Sequence, residues 1–334
     1  MKFAKNIFII FILLLKTKAS AINSLDTTTS GTDKSQYITN NWHFDNGASV
    51  KGFVSFTGGF TIAAGGTLNY ESCGIVSGSI YLNGGTLNLT GDMYCGKLAR
   101  IYGPGTINGS SINSIYFLDV SGIYGGKVNI TGAVVFVGMG TMFTLDLASN
   151  GALHFNPGAN FYMHNIRIQN ANTTSFMMSD SVLMYIDNSS FEVRPDDTLT
   201  FSNSSYQISA YGINQIVGPK SKINLNSYLD IQTGSRFIMN PNTTLSVGTN
   251  GAIAFNSSSS DFVLNGAALE VGTFMQFRTG RFVTEGASTI TGLSGNVLDI
   301  GSGLSISNDC NFFIAPGSTL ELESGTEVRY RNIH

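Results

Sequence analysis

Few residues of this chain have side chains and spacing that suit catalysis. Sugar hydrolysis needs two or three converging carboxylates, and elimination needs a base such as Arg or Lys with acidic calcium ligands. The only adjacent acidic pair is Asp196-Asp197, in RPDDTLTF. Because this pair directly precedes a short apolar run, where turns favour Asp for local hydrogen bonding, we expect it to be structural. We therefore predict no catalytic residue.

A second set of candidates could bind rather than react. His154, His164 and Arg167 are the best trio for a polar patch on the outer surface. Strand alternation turns His154 outward, and Arg167 also faces outward because it lies between Ile166 and Ile168. Two interpretations stay open, ordinary solvated surface residues or a patch that contacts a glycan or takes part in catalysis.

The cysteines allow one cross-link. Cys73 and Cys95 lie close to one repeat apart in the sequence, and Cys310 is distant. In a stacked coil, neighbouring strands are about 4.8 Å apart, which is within the Cα separation of a disulfide. A disulfide between Cys73 and Cys95 is one prediction, and two buried thiols are the alternative.

No metal, phosphate or cofactor signal accompanies these residues. The cysteines lack the short paired spacings of a zinc site, and the glycine-rich turns lack the Asp of the calcium-binding repeat. Charged residues make up 12% of the chain, and the net charge is −3. Because no basic run is available to neutralise phosphates, we expect no nucleic-acid partner, and we expect no cofactor or metal.

The N-terminus predicts export. Residues 1–21, MKFAKNIFIIFILLLKTKASA, have lysines, then an apolar stretch, then small residues, which is the layout of a signal peptide cleaved after Ala21. The apolar stretch is too short to cross a bilayer, and no later segment is long and apolar enough, so we expect no membrane-spanning segment in the mature chain. Residues 22–41 are polar and aperiodic, which predicts a flexible leader. Localisation is therefore predicted to be secreted, extracellular or at the cell surface.

The remaining sequence repeats one phrase. GGTLNY begins at Gly65, GGTLNL at Gly84, GPGTIN at Gly103 and GGKVNI at Gly125. Looser copies continue to TLEL at Thr319. Apolar and polar residues alternate in each copy, which is the period of a β-strand. Inward positions are predicted to be Leu68, Tyr70, Leu87, Leu89, Val128, Ile130, Leu153, Phe155, Leu245, Val247, Leu320 and Leu322, and outward ones Asn69, Asn88, Asn129, His154, Ser246 and Glu321.

The fixed period favours a solenoid over a sandwich or barrel, which do not require a phrase to return every twenty or so residues. We predict an all-β, right-handed parallel β-helix over residues 42–334, with about 13 coils of roughly 19–25 residues. A cap is predicted near 42–56, around the only tryptophan, Trp42. Outward Asn and Thr are expected to form hydrogen-bonded rows along the axis.

Two families share phrases with this sequence. SGSIYLNGGTLNLTGD and GGFTIAAGGTLNYESCG resemble the passenger repeats of bacterial autotransporter adhesins, most closely from Gly58 to Gly132. That resemblance implies a β-helix displayed outside a bacterial cell, often for adhesion or aggregation. The chain ends at His334 within coil-like sequence, so we expect it to lack that family's translocator barrel.

The second resemblance is to β-helical enzymes. GPGTING at Gly103 is similar to a phrase of polygalacturonase-like proteins, and NIRIQN and YIDNSSFEV resemble pectate-lyase-type coils. The clustered aspartates and Gly-His-Gly of those enzymes do not occur here, so no catalytic residue is carried over. We expect a structural or adhesin-like solenoid whose polar face binds a glycan, a host surface or another copy of itself. A polysaccharide-acting lyase or hydrolase is the alternative.

Overall fold

The protein is an all-β parallel solenoid, as the repeat predicts. The computed structural model describes residues 23–26, 36–119, 121–140, 142–147, 150–272, 275–277, 280–292, 297–301, 310–314, 319–322 and 327–331. Strands make up 64% of the structure, and the described residues contain no helix. The predicted signal peptide and part of the predicted leader lie outside these residues, and the handedness of the coil stays a prediction.

The strands are short and follow one another around the axis. The first part of the chain contains β1 (Leu25–Asp26), β2 (Gln36–Ile38), β3 (Trp42–Phe44), β4 (Ala48–Gly52), β5 (Val54–Phe56), β6 (Gly59–Ile62), β7 (Thr67–Ser72), β8 (Ile75–Val76), β9 (Ser79–Tyr81), β10 (Thr86–Leu89), β11 (Met93–Cys95), β12 (Arg100–Tyr102), β13 (Gly105–Phe117) and β14 (Ser121–Tyr124). The middle part contains β15 (Gly126–Gly138), β16 (Phe143–Asp146), β17 (Gly151–Phe155), β18 (Asn160–His164), β19 (Ile166–Ala171), β20 (Phe176–Met178), β21 (Leu183–Asp187), β22 (Ser190–Val193), β23 (Thr198–Tyr211), β24 (Ile213–Val217), β25 (Lys222–Ile231) and β26 (Arg236–Met239). The last part contains β27 (Thr244–Val247), β28 (Ala252–Phe255), β29 (Asp261–Asn265), β30 (Ala268–Val271), β31 (Met275–Phe277), β32 (Gly280–Glu285), β33 (Ala287–Gly292), β34 (Val297–Gly301), β35 (Cys310–Ile314), β36 (Thr319–Leu322) and β37 (Glu327–Arg331).

Each turn of the solenoid has three faces. The first face holds the repeated phrase, in strands such as β7, β10 and the start of β13; the second holds β8, β11 and the end of β13; the third holds β9, β12 and β14. Four long strands, β13, β15, β23 and β25, run through the corner between the first two faces. Every pairing is parallel and joins a strand to its counterpart one turn away.

About ten turns make up the solenoid, so the predicted number of 13 coils is slightly off. Ten turns, each with a strand on all three faces, lie between Ala48 and Asn265. Further strands extend the sheets on either side. Two of them, β1 and β2, lie in the segment predicted as a leader and pair with β4 and β5. In the segment predicted as a cap, β3 pairs with β6, and its capping role stays a prediction.

The core is made of rows of identical or similar side chains. Leu68, Leu87 and Ile107 are register partners on three consecutive turns and are fully buried. All the other predicted inward residues up to Val247 are also buried, whereas the side chains of Leu320 and Leu322 lie outside the described part. Burying such rows contributes about 25 cal/mol per Å² of apolar surface, which supplies most of the driving force for folding.

Glycine is required at the corners for its backbone conformation. Asn83 and Gly84 both have positive φ, 51° and 74°, in the turn that precedes β10. Gly65 has φ 65° in the corresponding turn one coil earlier. Because an added Cβ at Gly65 or Gly84 would meet nothing within 4 Å, backbone strain rather than crowding explains these glycines.

Both cysteines of the predicted disulfide are free. Cys95 is fully buried in β11, and its register partner on the preceding turn is Val76. Cys73 lies in the corner before β8 with its side chain exposed. A sequence spacing close to one repeat therefore does not bring Cys73 and Cys95 side by side. Corner lengths differ between turns, and they place the two residues at different points of the coil.

Thiol labelling tests this arrangement. Burial raises the pKa of the Cys95 thiol to about 12, so Cys95 should resist alkylation until the protein unfolds. Exposed Cys73 should react in the native state. Under native conditions the wild type should take up one more label per chain than the Cys73→Ser variant, as measured by mass spectrometry. Equal labelling of the two proteins would show that Cys73 is not free, and it would support the predicted disulfide.

A charge network on the third face also contributes to stability. Asp261, 2% exposed, accepts two hydrogen bonds from Arg281, at 2.6 and 2.7 Å, and lies 3.2 Å from Nε of Arg236. Arg236 also contacts Glu285 at 3.4 Å. These residues occupy consecutive turns, so opposite charges alternate along the axis.

Asp261→Asn should lower the free energy of unfolding by about 2–3 kcal/mol, since it leaves two arginines facing a neutral group. We place the loss below that of a fully buried pair because both arginines are partly exposed. The control is Asp196→Asn, whose ion pair with Lys220 is long, 3.9 Å, and exposed; it should cost less than about 0.5 kcal/mol. If urea unfolding shows equal losses of stability for the two variants, the charge network around Asp261 does not contribute more than an exposed ion pair.

Candidate functional site

The predicted trio does not form one patch. His154 is on the first face in β17, His164 is on the second face in β18, and Arg167 is on the third face in β19. Each side chain is at least partly exposed, in agreement with the outward orientation expected for His154 and Arg167. Any binding role of the three stays a prediction, and it would have to be exerted from three different faces.

His154 is one link in a hydrogen-bonded row along the first face. Its Nδ1 donates to Oδ1 of Asn129 on the preceding turn, 3.0 Å away, and its Nε2 lies 2.9 Å from Oγ of Ser179 on the next. Asn129 in turn donates to the carbonyl oxygen of Gly105. The ring is therefore held by scaffold groups on both sides.

His164 has a different environment. Its Nδ1 is 2.7 Å from Oδ2 of Asp187, its register partner one turn later. The amide Nδ2 of Asn165 lies 3.0 Å from the other ring nitrogen. Arg167, two residues beyond that corner, has Thr144 and Ser190 as its register partners. This corner is polar and exposed, but its histidine is already paired with a carboxylate.

A second row on the first face consists of the asparagines of the repeated phrase. Asn88 donates to Asn69 at 2.8 Å, Asn108 donates to Asn88 at 2.9 Å, and Thr131 donates to Asn108 at 2.9 Å. The expected stacking of outward Asn and Thr is therefore present. Its hydrogen bonds connect neighbouring turns, which identifies these asparagines as parts of the scaffold.

The acidic pair considered for catalysis lies in a turn. Asp196 has a positive φ of 58°, and Asp197 accepts hydrogen bonds from the Thr198 backbone N–H and from Asn172, at 2.7 and 2.8 Å. This is the local role that the sequence predicts. Over the part of the chain that the structure describes, no three His, Cys, Asp or Glu residues are grouped so that they could hold a metal ion.

Outward-facing tyrosines, one exposed and two half-buried, form a ladder on the third face that the sequence analysis missed. Tyr81, Tyr102 and Tyr124 are register partners in β9, β12 and β14. Their ring centroids are 4.7 Å and then 5.6 Å apart, with planes inclined by 18° and 32°. The signal was available as SIY, RIY and GIY, in which Ile points inward and Tyr outward.

The ladder begins beside a groove. Thr61, Tyr81, Asn83, Gly103 and Pro104 line an open space of about 410 Å³. The register partner of Tyr81 on the preceding turn is Thr61, whose side chain is much smaller than a phenol ring. Among the described residues, no aromatic ring therefore covers the face of the Tyr81 ring that points toward Thr61. Tyr81 itself is 37% exposed.

This groove combines the elements of a binding site for a polar ring. The ring face of Tyr81 offers apolar contact, while Thr61 and Asn83 supply a hydroxyl and an amide. Thr61 is held by a hydrogen bond to Asn41 at 3.0 Å, and Asn83 is fixed in its corner by the left-handed backbone. The site is thus largely preformed, which reduces the entropy lost when a ligand binds.

Comparison with protein-family models, with curated proteins and with solved structures found no match to this chain. The likeness to autotransporter passengers and to pectate-lyase-type enzymes therefore stays at the level of repeat and composition. Among the described residues, no helix is long and apolar enough to cross a membrane.

The environment of His154 predicts a pH dependence. Burial lowers the pKa of His154 from its ordinary value of 6.5, and nearby Lys127 lowers it further. Below about pH 6.5 the unfolded chain therefore binds more protons at this residue than the folded chain does, and stability falls as the pH falls. Carboxylates also contribute to the change of stability with pH, so the contribution of His154 has to be isolated by comparing the wild type with a His154 variant.

The test compares urea unfolding at about pH 7.5 and about pH 5.5 for the wild type and His154→Gln. The variant should lose less stability on acidification than the wild type. His43→Gln, which changes an exposed histidine on the third face, is the control and should follow the wild type. If His154→Gln also follows the wild type, the titration of His154 is not coupled to folding.

Proposed function

We propose that this chain is a secreted or surface-exposed structural solenoid that binds a glycan through the groove at Tyr81. The observation that carries this proposal is the uncovered ring face of Tyr81 in a preformed groove with polar groups from Thr61 and Asn83. Pyranose rings have apolar C–H faces and a rim of hydroxyls. They therefore match an aromatic platform that is bordered by hydroxyl and amide groups.

The scaffold suits an adhesin-like role. A β-helix is rigid along its axis and presents its faces in a fixed orientation, and the predicted signal peptide would deliver it outside the cell. Its low charge content makes short-range stacking and hydrogen bonding the main sources of affinity. Binding to a host surface would follow if that surface carries the glycan.

The alternative from the sequence, an enzyme that acts on polysaccharides, would use the same class of ligand. The discriminating experiment is therefore a glycan-binding screen of the mature chain that is coupled to an assay for released reducing ends. Binding without release supports the structural proposal. Release of reducing ends would favour the enzyme.

Tyr81→Ala should weaken binding to the best glycan of that screen at least about tenfold, which corresponds to about 1.4 kcal/mol. Tyr81→Phe should retain most of the affinity because it keeps the ring. Tyr228→Ala is the matched control, since Tyr228 is 43% exposed but lies on the second face in β25. Affinities are measured by titration calorimetry. Equal losses of affinity for Tyr81→Ala and Tyr228→Ala would show that the Tyr81 groove is not the glycan-binding site.

A further inference from the structure

Two cations that have no carboxylate partner among the described residues lie at the other side of the tyrosine ladder. Lys97 occupies the corner before β12, and Arg100 is the first residue of that strand; both are exposed. None of the ion pairs in the described part of the chain includes either residue. Farther along the same face, by contrast, Arg236 and Arg281 are neutralised by acidic neighbours.

Arg100 is oriented by the ladder. Its guanidinium carbon lies 5.4 Å from the centroid of the Tyr124 ring, within the range of a cation–π contact. A hydrogen bond to Tyr102 raises the pKa of the Arg100 guanidinium, and the neighbouring tyrosines add to this effect. Because a guanidinium has five N–H donors, these contacts leave several of them for a ligand.

A glycine makes room for the Tyr124 ring beside Arg100. Gly122 is the register partner of Arg100 on the next turn. A Cβ at Gly122 would lie 2.6 Å from the ring of Tyr124, so that ring leans across the position where a side chain would otherwise stand. The Tyr124 ring thus takes the place of a side chain at position 122, and it contacts the guanidinium from this direction.

Together these residues line a second groove, of about 160 Å³. Lys97, Arg100, Ser121 and Tyr124 supply two positive charges, a hydroxyl and a ring. One acidic residue, Asp119, is also part of the lining, so the local charge is net positive by one. This groove lies at the start of the third-face strands, whereas the Tyr81 groove lies at their ends, where Asn83 and Gly103 turn toward the first face.

We propose that the second groove binds the anionic group of an acidic oligosaccharide, a uronate carboxylate or a sugar sulfate. The inference rests on the proposed glycan-binding function. The adjoining sugar units would cross the third face along Tyr102 and reach the Tyr81 groove. Arg is well suited to this role because its planar N–H groups match the oxygens of a carboxylate or sulfate.

The number of charges favours a single anionic group over a dense polyanion. Two cations can neutralise one or two anionic groups, but Asp119 and the chain's net charge of −3 would repel the closely spaced phosphates of nucleic acid. An oligosaccharide with a carboxylate or sulfate on alternate units places charge only where the cations are. Its uncharged portions remain free to contact the tyrosine edges.

The experiment compares three probes of equal length with the full mature chain. They are an oligogalacturonate, a sulfated galactan oligosaccharide and the neutral galactan oligosaccharide. At low salt at least one acidic probe should bind about tenfold more tightly than the neutral one, and the preference should shrink as salt is added. The tighter of the two acidic probes identifies carboxylate or sulfate as the group recognised.

Arg100→Gln and Lys97→Gln should each reduce the preference for the acidic probe and leave affinity for the neutral probe unchanged. Arg167→Gln is the matched control, because Arg167 is an exposed arginine of the same face that does not line the groove. Circular dichroism of each variant confirms that the solenoid is intact, and no cost to folding is expected at these exposed positions.

The two proposals fail separately. If the wild type binds acidic and neutral probes equally, or if both groove variants keep the wild-type preference, the anion site is wrong while the Tyr81 site stands. If none of the three probes binds, the inference falls, and the broader glycan screen decides the proposed function. If duplex DNA competes as well as the acidic probe, recognition is of charge alone and the inference is overturned.

Discussion

Parallel hydrogen bonding between each strand and its counterpart one turn away is the constraint on which this molecule depends. Because that pairing is in register, each side chain lies about 4.8 Å from its equivalents on neighbouring turns. Whatever residue occupies a position must therefore be compatible with a copy of itself above and below. Leu68, Leu87 and Ile107 satisfy this requirement by apolar packing. Asn69, Asn88 and Asn108 satisfy it by amide hydrogen bonds. Tyr81, Tyr102 and Tyr124 satisfy it by contact between their rings.

The same constraint explains where charge is found. Like charges on adjacent strands repel, so a regular row of Lys or Glu would destabilise the solenoid. The chain contains only 12% charged residues, and Asp261 alternates with Arg236 and Arg281 along the axis rather than with another acid. Lys97 and Arg100 depart from this pattern. Their lack of an acidic partner is therefore a local feature that the stability of the scaffold does not require.

Much of the fold could be predicted from the sequence because the repeated phrase carries both period and orientation. In GGTLNY the glycines turn the corner, Leu and Tyr enter the core, and Asn faces outward, and the structure bears out each of these assignments.

Site residues were harder to place. His154, His164 and Arg167 are close in sequence, but the sequence does not state how many corners separate them, and two corners put them on three faces. Corner length likewise separated Cys73 from Cys95. The tyrosine ladder went unnoticed because its strands are only three or four residues long and share just Ile-Tyr.

A regular ladder is a poor binding site, since each ring covers the faces of its neighbours. Only where the row ends does an aromatic face become available, and the row of Tyr81 ends at Thr61. Binding chemistry in a solenoid should therefore be sought where periodicity breaks rather than where it is strongest. The break at Thr61 keeps the backbone pairing and the inward Phe60 and Ile80, so the scaffold is unaffected while the surface opens. The glycine at position 122 likewise interrupts an outward row without interrupting the strand, and it leaves room for the Tyr124 ring beside Arg100. Both grooves of the third face thus arise from single-residue departures from the repeat, and such departures can change what a face binds without changing how it folds.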